Sequence, residues 1–172
     1  LESLKKIRFG ELSKKNLDKI TVLAAELFNV PISTVTFVDD KKERHFSVCG
    51  LKNKDGSRAV SFCGHAIAGK ADIMIIPDAL KDKRFKDNPM VTKGLKIRFY
   101  AAVVLKGPGR YNVGTLCIKD KIPRILTKKQ IGLLKYLGEM VEREIDFPSL
   151  LRLSEELSKN KEELTQIIEN MD

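Results

Sequence analysis

The spacing of apolar residues divides the first part of the chain into one helix and a pair of strands. Apolar positions recur every three to four residues over 17–28, which predicts an amphipathic helix. The run Ile32–Val38 is apolar and rich in β-branched residues, so it predicts a strand. Residues 44–51 are predicted to be the returning strand of a hairpin, with Phe46 and Val48 on one face.

The middle and the end of the chain add a short helix, further strands and a long helix. Residues 61–69 predict a short helix with Ser61 as its N-cap. Three strand segments follow, at 72–76, 97–105 and 112–118. Thr127 and Gln130 have the spacing of a capping box, and the apolar positions after them predict a long amphipathic helix.

This order of elements predicts an α+β fold. We expect a central, mostly antiparallel sheet of about five to six strands with the terminal helices on one face. The short helix and the loops after it would cover the other face. A cleft between that layer and the sheet is the expected place for a small ligand.

The segment 148–172 has the heptad pattern of a coiled coil. Two sets of positions recur every seven residues and are offset by three, as the a and d positions of a coiled-coil seam are. The seam comprises Leu150, Leu153, Leu157, Asn160, Leu164, Ile167 and Met171. The pattern predicts a parallel homodimer, and the alternative is a helix packed on its own domain. Pro148 is predicted to interrupt the preceding helix, either by starting a new helix at its first turn or by leaving a kink. This divides the chain into a 1–147 domain and a 148–172 signalling helix.

The composition is that of a globular chain with an uneven charge. Apolar residues make up 42% and charged residues 32% of the chain, and the formal net charge is +9. The segment 148–172 carries six acidic and three basic residues, so the positive excess lies in 1–147. No basic segment has the spacing of a nucleic-acid module, and no apolar run approaches the roughly 20 residues of a membrane span. We therefore expect neither a nucleic-acid partner nor membrane contact.

The three cysteines and the absence of known catalytic motifs limit the metal sites and the catalytic activities that we expect of this chain. Cys49, Cys63 and Cys117 are odd in number and widely spaced, which argues against a zinc site and for reduced thiols in a cytoplasmic protein. The chain has no HExxH, GxSxG, P-loop or kinase motif. We expect no metal and no catalytic residues in this chain.

Six segments resemble, in order, those of bacterial and archaeal GAF domains. They are VSFCGHAI (60–67), IPDAL (76–80), RF (84–85), DNP (87–89), IRFY (97–100) and GTLCI (114–118). The resemblance covers about 17–145. It implies a GAF/PAS-like fold in which a pocket lies between the sheet and the short helix with its following loops.

The resemblance also implies a function and a set of ligand residues. GAF domains sense small molecules within multidomain signalling proteins such as sensor histidine kinases and cyclic-di-nucleotide enzymes. We expect ligand state to pass through the terminal helices of a dimer to an output module after Asp172. The candidates carried onto this sequence are Phe62, Cys63, His65, Asp78, Phe85, Phe99 and Tyr100. Arg98 joins them, because its guanidinium could clamp a carboxylate or a phosphate.

Departures from the family patterns limit the ligand. The motif of cyclic-nucleotide-binding members is absent, and Gly64 separates Cys63 from His65, which are adjacent in bilin-binding members. The spacing of the cysteines differs from that of the methionine-sulfoxide-reducing members. No cofactor is required, although a haem or redox sensor that uses Cys63 or His65 is an alternative.

Several candidate residues also have an ordinary structural explanation. Asp78 could bind a ligand amine or cap a turn. Arg98 could lie at a solvated sheet edge. Phe99 and Tyr100 alternate across a strand, so only one of them can face the pocket. A dimerisation scaffold whose pocket is filled by its own side chains is a further alternative.

Overall fold

Helices flank the strands in the order that the apolar spacing predicts. A computed structural model of the chain describes residues 4, 7, 9–52 and 55–169. The helices are α1 (Lys14–Phe28), α2 (Phe62–Ala68), α3 (Pro89–Thr92) and α4 (Lys128–Glu169). The strands are β1 (Ile32–Val38), β2 (Lys42–Cys49), β3 (Gly56–Ser57), β4 (Ile73–Ile76), β5 (Phe99–Lys106) and β6 (Asn112–Asp120). Short 3-10 turns lie at Phe9–Glu11, Arg58–Val60 and Pro108–Arg110.

The strands form one six-stranded sheet in the order β3-β2-β1-β6-β5-β4. Every pair of neighbours is antiparallel. The central strands are buried on both faces, since every residue of β1 and all but the first of β6 are buried. The predicted α+β fold and its sheet are confirmed.

The terminal helices cover one face of the sheet. The Ser13 hydroxyl caps α1 by accepting a hydrogen bond from the Asn16 N–H, and Asn29, in the left-handed conformation, is the C-cap that follows Phe28. At Gly138 of α4 an added Cβ would lie 2.7 Å from Cγ1 of Val103, so glycine allows α4 to approach β5 closely. The core between these layers includes Leu17, Phe37, Phe99, Leu116, Leu134 and Val141.

The short helix α2 and the loops that follow it cover the other face. The Ser61 hydroxyl caps α2 by accepting a hydrogen bond from the Gly64 N–H at 2.9 Å, which confirms the predicted helix start. A second apolar core lies beneath α2 and includes Phe62, Cys63, Phe85, Ile97, Tyr100 and Cys117. The sheet therefore separates the terminal helices from the layer that is expected to hold a ligand.

A bulge in the β1–β2 pairing decides which β2 side chains face α2. The register shifts by one residue in the middle of the pair, where Phe46 is the extra residue on β2. Phe46 contacts the ring of Phe37, at 5.8 Å between centroids, on the side of the terminal helices. Val48 pairs with Thr34, whose side chain lies on the opposite face. The prediction that Phe46 and Val48 share a face is wrong, because the bulge changes the alternation between them.

The helix α4 passes through Pro148 without interruption. The prediction that a new helix begins at this residue is therefore wrong, and a kink at Pro148 stays a prediction. A proline inside a helix costs about 3 kcal/mol because it removes one hydrogen bond and crowds the preceding turn. That cost is outweighed here, since Val141 and Ile145 anchor the preceding turns in the core and the following residues are good helix formers. The division of the chain at 147/148 remains a prediction.

Beyond Pro148, α4 leaves the rest of the chain. Of the side chains described in 149–168 all are exposed except that of Arg152, which pairs with Glu11 at 3.1 Å. The apolar seam residues described, Leu150, Leu153, Leu157, Leu164 and Ile167, are 54–62% exposed. Asn160 is also exposed, and Met171 lies outside the described residues. The described part of the segment 148–172, called the tail below, is thus not packed on the 1–147 domain. Along the described part of the chain, no helix has the length and apolar character needed to cross a membrane.

Candidate ligand site

A row of buried polar side chains lines the sheet beneath α2. The β1–β6 register places Thr34 opposite Cys117 and Thr36 opposite Thr115, so these four side chains share one face. The full set comprises Thr34, Thr36, Glu43, His45, Ser61, Thr115, Cys117 and Lys119, each with 5% exposure or less. Buried polar groups are costly unless they are paired or bind a partner. This face is therefore the chemically distinctive part of the fold.

Glu43 and His45 on β2 form the polar end of this row. The Glu43 carboxylate accepts a short hydrogen bond from the Ser61 hydroxyl through Oε2. Its other oxygen, Oε1, lies 3.8 Å from Nε2 of His45, beyond hydrogen-bonding distance. Nδ1 of His45 lies 2.9 Å from Oγ1 of Thr36. Burial, followed by the charge of Lys119, lowers the pKa of His45 against the opposing effect of Glu43, so the imidazole is neutral near pH 7.

These two residues line a cavity of about 690 Å³. The loop after β2, strand β3, the turn before α2 and the loop after α3 enclose it. Its apolar lining comprises Leu51, Val60, Met90 and Leu95. The volume lies within the range of about 300–1,000 Å³ that is usual for small-molecule sites, and an apolar wall with a few polar groups is their usual lining.

Three of the aromatic residues predicted as ligand contacts lie together but in a packed stack. The rings of Phe62 and Phe85 stack at 4.3 Å between centroids, and those of Phe62 and Tyr100 at 4.9 Å. Each of the three is 1% exposed or less, and none lines the 690 Å³ cavity. The stack fills the space between α2 and the sheet, and it belongs to the buried core of that layer.

Cys63 and His65 lie on opposite sides of α2, as expected for residues two apart in a helix. Cys63 has no exposed surface, and the Tyr100 hydroxyl donates a hydrogen bond to its sulfur at 3.4 Å. His65 is exposed and lies 2.9 Å through Nδ1 from the Ser61 carbonyl oxygen. Its ring also contacts the edge of Phe85 at 4.8 Å. His65 lines a separate groove of about 520 Å³ on the outer side of α2.

The remaining candidates make structural contacts outside the cavity. The Asp78 carboxylate accepts a hydrogen bond from the Leu80 N–H at 3.2 Å, as a turn cap does. The Arg98 guanidinium donates to the carbonyl oxygens of Val91 and Ile97, at 2.9 and 3.1 Å. Phe99 lies in the core beneath the terminal helices, so Tyr100 is the member of that pair on the ligand side.

Sequence reasoning missed the residues that make this face polar. Glu43 and His45 lie two apart on β2 and share a face, but the strand was predicted to begin only at residue 44, so Glu43 fell outside it. Lys119 carried a usable signal, because a lysine that continues the apolar run of a central strand must be buried. In the described part of the chain, no group of His, Cys, Asp and Glu side chains is placed to hold a metal ion.

Comparisons with known proteins identify the fold of this chain. No protein-family model matches the chain. The chain is 33% identical over 125 residues to a cyclic di-GMP phosphodiesterase of Pseudomonas aeruginosa. The aligned region makes up 72% of this chain but only 21% of that relative. The GAF domain of a phosphoenolpyruvate-protein phosphotransferase from Coxiella burnetii superposes with a TM-score of 0.66 at 13% identity, over 88% of this chain and 95% of that domain. The chain has the fold of a GAF domain.

The GAF fold of this chain is shared by proteins with different chemistry. The free methionine-R-sulfoxide reductase of Neisseria meningitidis, solved in complex with its substrate, superposes with a TM-score of 0.63 at 18% identity over 77% of each chain. A phosphotransferase domain and a reductase therefore both use it. The fold does not decide between binding and catalysis, so the function must be argued from the site of this chain.

Proposed function

We propose that this chain is the small-molecule-sensing GAF domain of a multidomain signalling protein. The 690 Å³ cavity carries this proposal, because it combines an apolar wall with two buried polar groups, Glu43 and His45. The likeness to a cyclic di-GMP phosphodiesterase supports a place in a signalling protein. The cavity also argues against a scaffold filled by its own side chains, since the aromatic stack occupies only the space beneath α2.

The polar groups indicate the class of ligand. The Glu43 Oε1 atom is 3.8 Å from Nε2 of His45, too far to accept a hydrogen bond from it. An N–H group of a ligand could donate that hydrogen bond instead. The neutral His45 imidazole can donate to the ligand or accept from it through Nε2. The cavity thus fits a molecule with an apolar body and an N–H donor at one end, such as an amine, an amidine or a nucleobase.

We propose that a signal from the cavity reaches the tail through the end of β6. Nε of Arg124 donates to the Asp120 carboxylate at 2.6 Å, and its Nη2 donates to the Asn29 carbonyl oxygen at 2.7 Å. This side chain therefore links the end of β6 to the end of α1, and it belongs to the segment that leads into α4. We propose that ligand binding shifts α4 as a unit in a parallel coiled-coil dimer and biases an output module beyond Asp172.

The solvent-exposed stripe on the tail supports the dimer. The apolar seam residues of α4 have more than half of their surface exposed in the single chain. In a parallel pairing with Leu157 at position a, Glu156 of one chain would face Lys161 of its partner across the seam. A second copy of this chain is the partner that such a repeat fits. We propose no catalytic role for the chain itself, and a cytoplasmic location.

A fragment screen tests the binding site directly. Nitrogen–proton correlation spectra of the labelled chain should show that fragments with an N–H donor shift the amide signals of Leu51, Lys52, Gly56 and Gly94. Val60→Trp should fill the cavity and weaken these fragments by about tenfold or more, which corresponds to about 1.4 kcal/mol. Val22→Trp is the matched control, because Val22 is similarly exposed (44% against 39%) but lies on α1.

Two outcomes of the screen would contradict the proposed site. One is a set of hits whose shifted signals lie away from the cavity. The other is an unchanged affinity of the hits in Val60→Trp, with Val22→Trp behaving as the wild type does.

A further inference from the structure

Two cysteines from different elements meet beneath α2. Cys63 lies in the first turn of α2 and Cys117 in the middle of β6, and neither has exposed surface. Both belong to the buried cluster beneath α2, and the pKa of each thiol is shifted by the other. Further contacts hold each sulfur: the Tyr100 hydroxyl donates to Cys63 at 3.4 Å, and Oγ1 of Thr34 lies 3.0 Å from Sγ of Cys117. Both thiols are free.

The surroundings favour one thiolate and one thiol. Burial by itself would raise the pKa of Cys117, but the Cys63 S–H, the Lys119 ammonium and the Thr34 hydroxyl lower it to about 6. Glu43 has a weaker opposing effect. The pKa of Cys63 is raised well above its ordinary value, first by its hydrogen bond to Cys117 and then by burial. Cys117 is therefore the nucleophile of the pair, and Cys63 is placed to resolve it.

Lys119 supplies the charge that such a pair needs. It follows Cys117 by two positions on β6, so its side chain lies on the same face, and it is 1% exposed. Its pKa is raised by Cys117, Cys63 and Glu43 in spite of burial, so the ammonium is retained inside the protein. A buried ammonium is costly without a nearby anion, and the Cys117 thiolate provides one.

We propose that Cys63 and Cys117 form a reversible dithiol–disulfide pair that crosslinks α2 to β6. The oxidant is a hydroperoxide. The Cys117 thiolate attacks one peroxide oxygen and the O–O bond breaks, which produces a sulfenic acid. The departing alkoxide or hydroxide takes up the proton that the Cys117 thiol had released to solvent and leaves as an alcohol or water. The Cys63 sulfur then attacks the Cys117 sulfur, the S–S bond forms, and the hydroxyl leaves as water with the Cys63 proton. Two thiols lose two electrons and two protons, the hydroperoxide takes them up, and a dithiol reductant reverses the reaction.

Local opening of α2 gives the oxidant access. This helix has only seven residues, contains Cys63 and shares a buried cluster with Cys117. Short elements at a protein surface open without global unfolding. The crosslink would hold α2 on the sheet, and Val60 in the cavity wall lies directly before the cap of α2. Oxidation would thus restrict one wall of the cavity, although the pair itself does not depend on any ligand.

Intact mass measurement of the folded chain tests the pair. The reduced protein, freed of reductant and treated with a modest excess of hydrogen peroxide, should lose two hydrogens, and proteolysis should yield one peptide pair linked through Cys63 and Cys117. Cys49→Ala is the control and should leave this reaction unchanged, since Cys49 lies at the end of β2. Cys63→Ala should stop at a sulfenic acid on Cys117, which dimedone traps. Cys117→Ala should remove both products.

The pH profile separates this reaction from general oxidation. The oxidation rate should rise through about pH 6. Lys119→Met should shift this rise to higher pH and slow the reaction near neutral pH by about tenfold, because less thiolate is present, and Lys119→Arg should restore it. The proposal is overturned if the wild-type cysteines stay reduced in the folded chain and oxidise only in denaturant. Oxidation of all three cysteines at one rate would overturn it equally.

Discussion

Leu157→Glu should abolish self-association of the chain at concentrations where the wild type is dimeric. Leu157 occupies a seam position and is 61% exposed in the single chain. In the dimer two such side chains would be buried, and the variant would place two carboxylates side by side. The cost should be about 3 kcal/mol or more, which is about 100-fold or more in the dissociation constant. Sedimentation equilibrium measures it.

Ser158→Glu is the matched control for this experiment. It adds the same charge one residue further along the same helix, outside the predicted seam, where the side chain is exposed. Its dissociation constant should stay within a few-fold of the wild type. Equal losses in the two variants would mean that charge, rather than the seam, controls association. A wild-type chain that remains monomeric would rule out the coiled-coil relay for this chain.

Gly114→Ala should strongly destabilise the fold, although it adds only one methyl group. An added Cβ would lie 2.1 Å from the Thr36 carbonyl oxygen and 3.0 Å from the Phe37 Cα, so it meets backbone that cannot move aside. Gly114 pairs with Phe37 on one neighbouring strand and with Leu105 on the other. We expect a loss of about 3 kcal/mol or more in the free energy of unfolding. Urea denaturation at fixed protein concentration measures this loss.

Gly132→Ala provides the opposite expectation from the same chemical change. No atom lies within 4 Å of a Cβ added at Gly132, which is exposed in the second turn of α4. Alanine should stabilise this helix by about 0.5–1 kcal/mol, since glycine loses more backbone entropy there. If Gly114→Ala were as well tolerated as Gly132→Ala, the close approach of β1 and β6 described here would be wrong.

The layers of this fold follow from periodicity, because burial repeats with the geometry of each element. Leu17 and Phe28 lie at helical spacing on α1, and both are on its buried face. The bulge at Phe46 could not be predicted, since one extra residue changes the face of a strand without changing its composition. The prediction that a new helix begins at Pro148 was wrong for a different reason. The packing of the preceding turns outweighs the local cost of proline in a helix.

The site was harder to predict than the fold because register assembles it. Thr34, Glu43, Cys117 and Lys119 are up to 85 positions apart in the sequence, and only the pairing of β1, β2 and β6 places them on one face. No local pattern marks such a cluster. The resemblance to GAF domains pointed to the layer in which the cavity lies. The cavity itself, with Glu43 and His45 in its lining, emerged only from the three-dimensional arrangement.

The claim that the cavity controls the tail can be tested by thermodynamic linkage. The dimer dissociation constant should be measured by sedimentation with and without a saturating amount of the tightest fragment found to bind at the cavity. A sensor requires that this ligand change the dimer equilibrium, typically by about 5-fold or more for a coupled pair of sites. We predict such a change in the wild type and in Val22→Trp, and none in Val60→Trp. An unchanged dissociation constant in the wild type at saturation would contradict the sensing account.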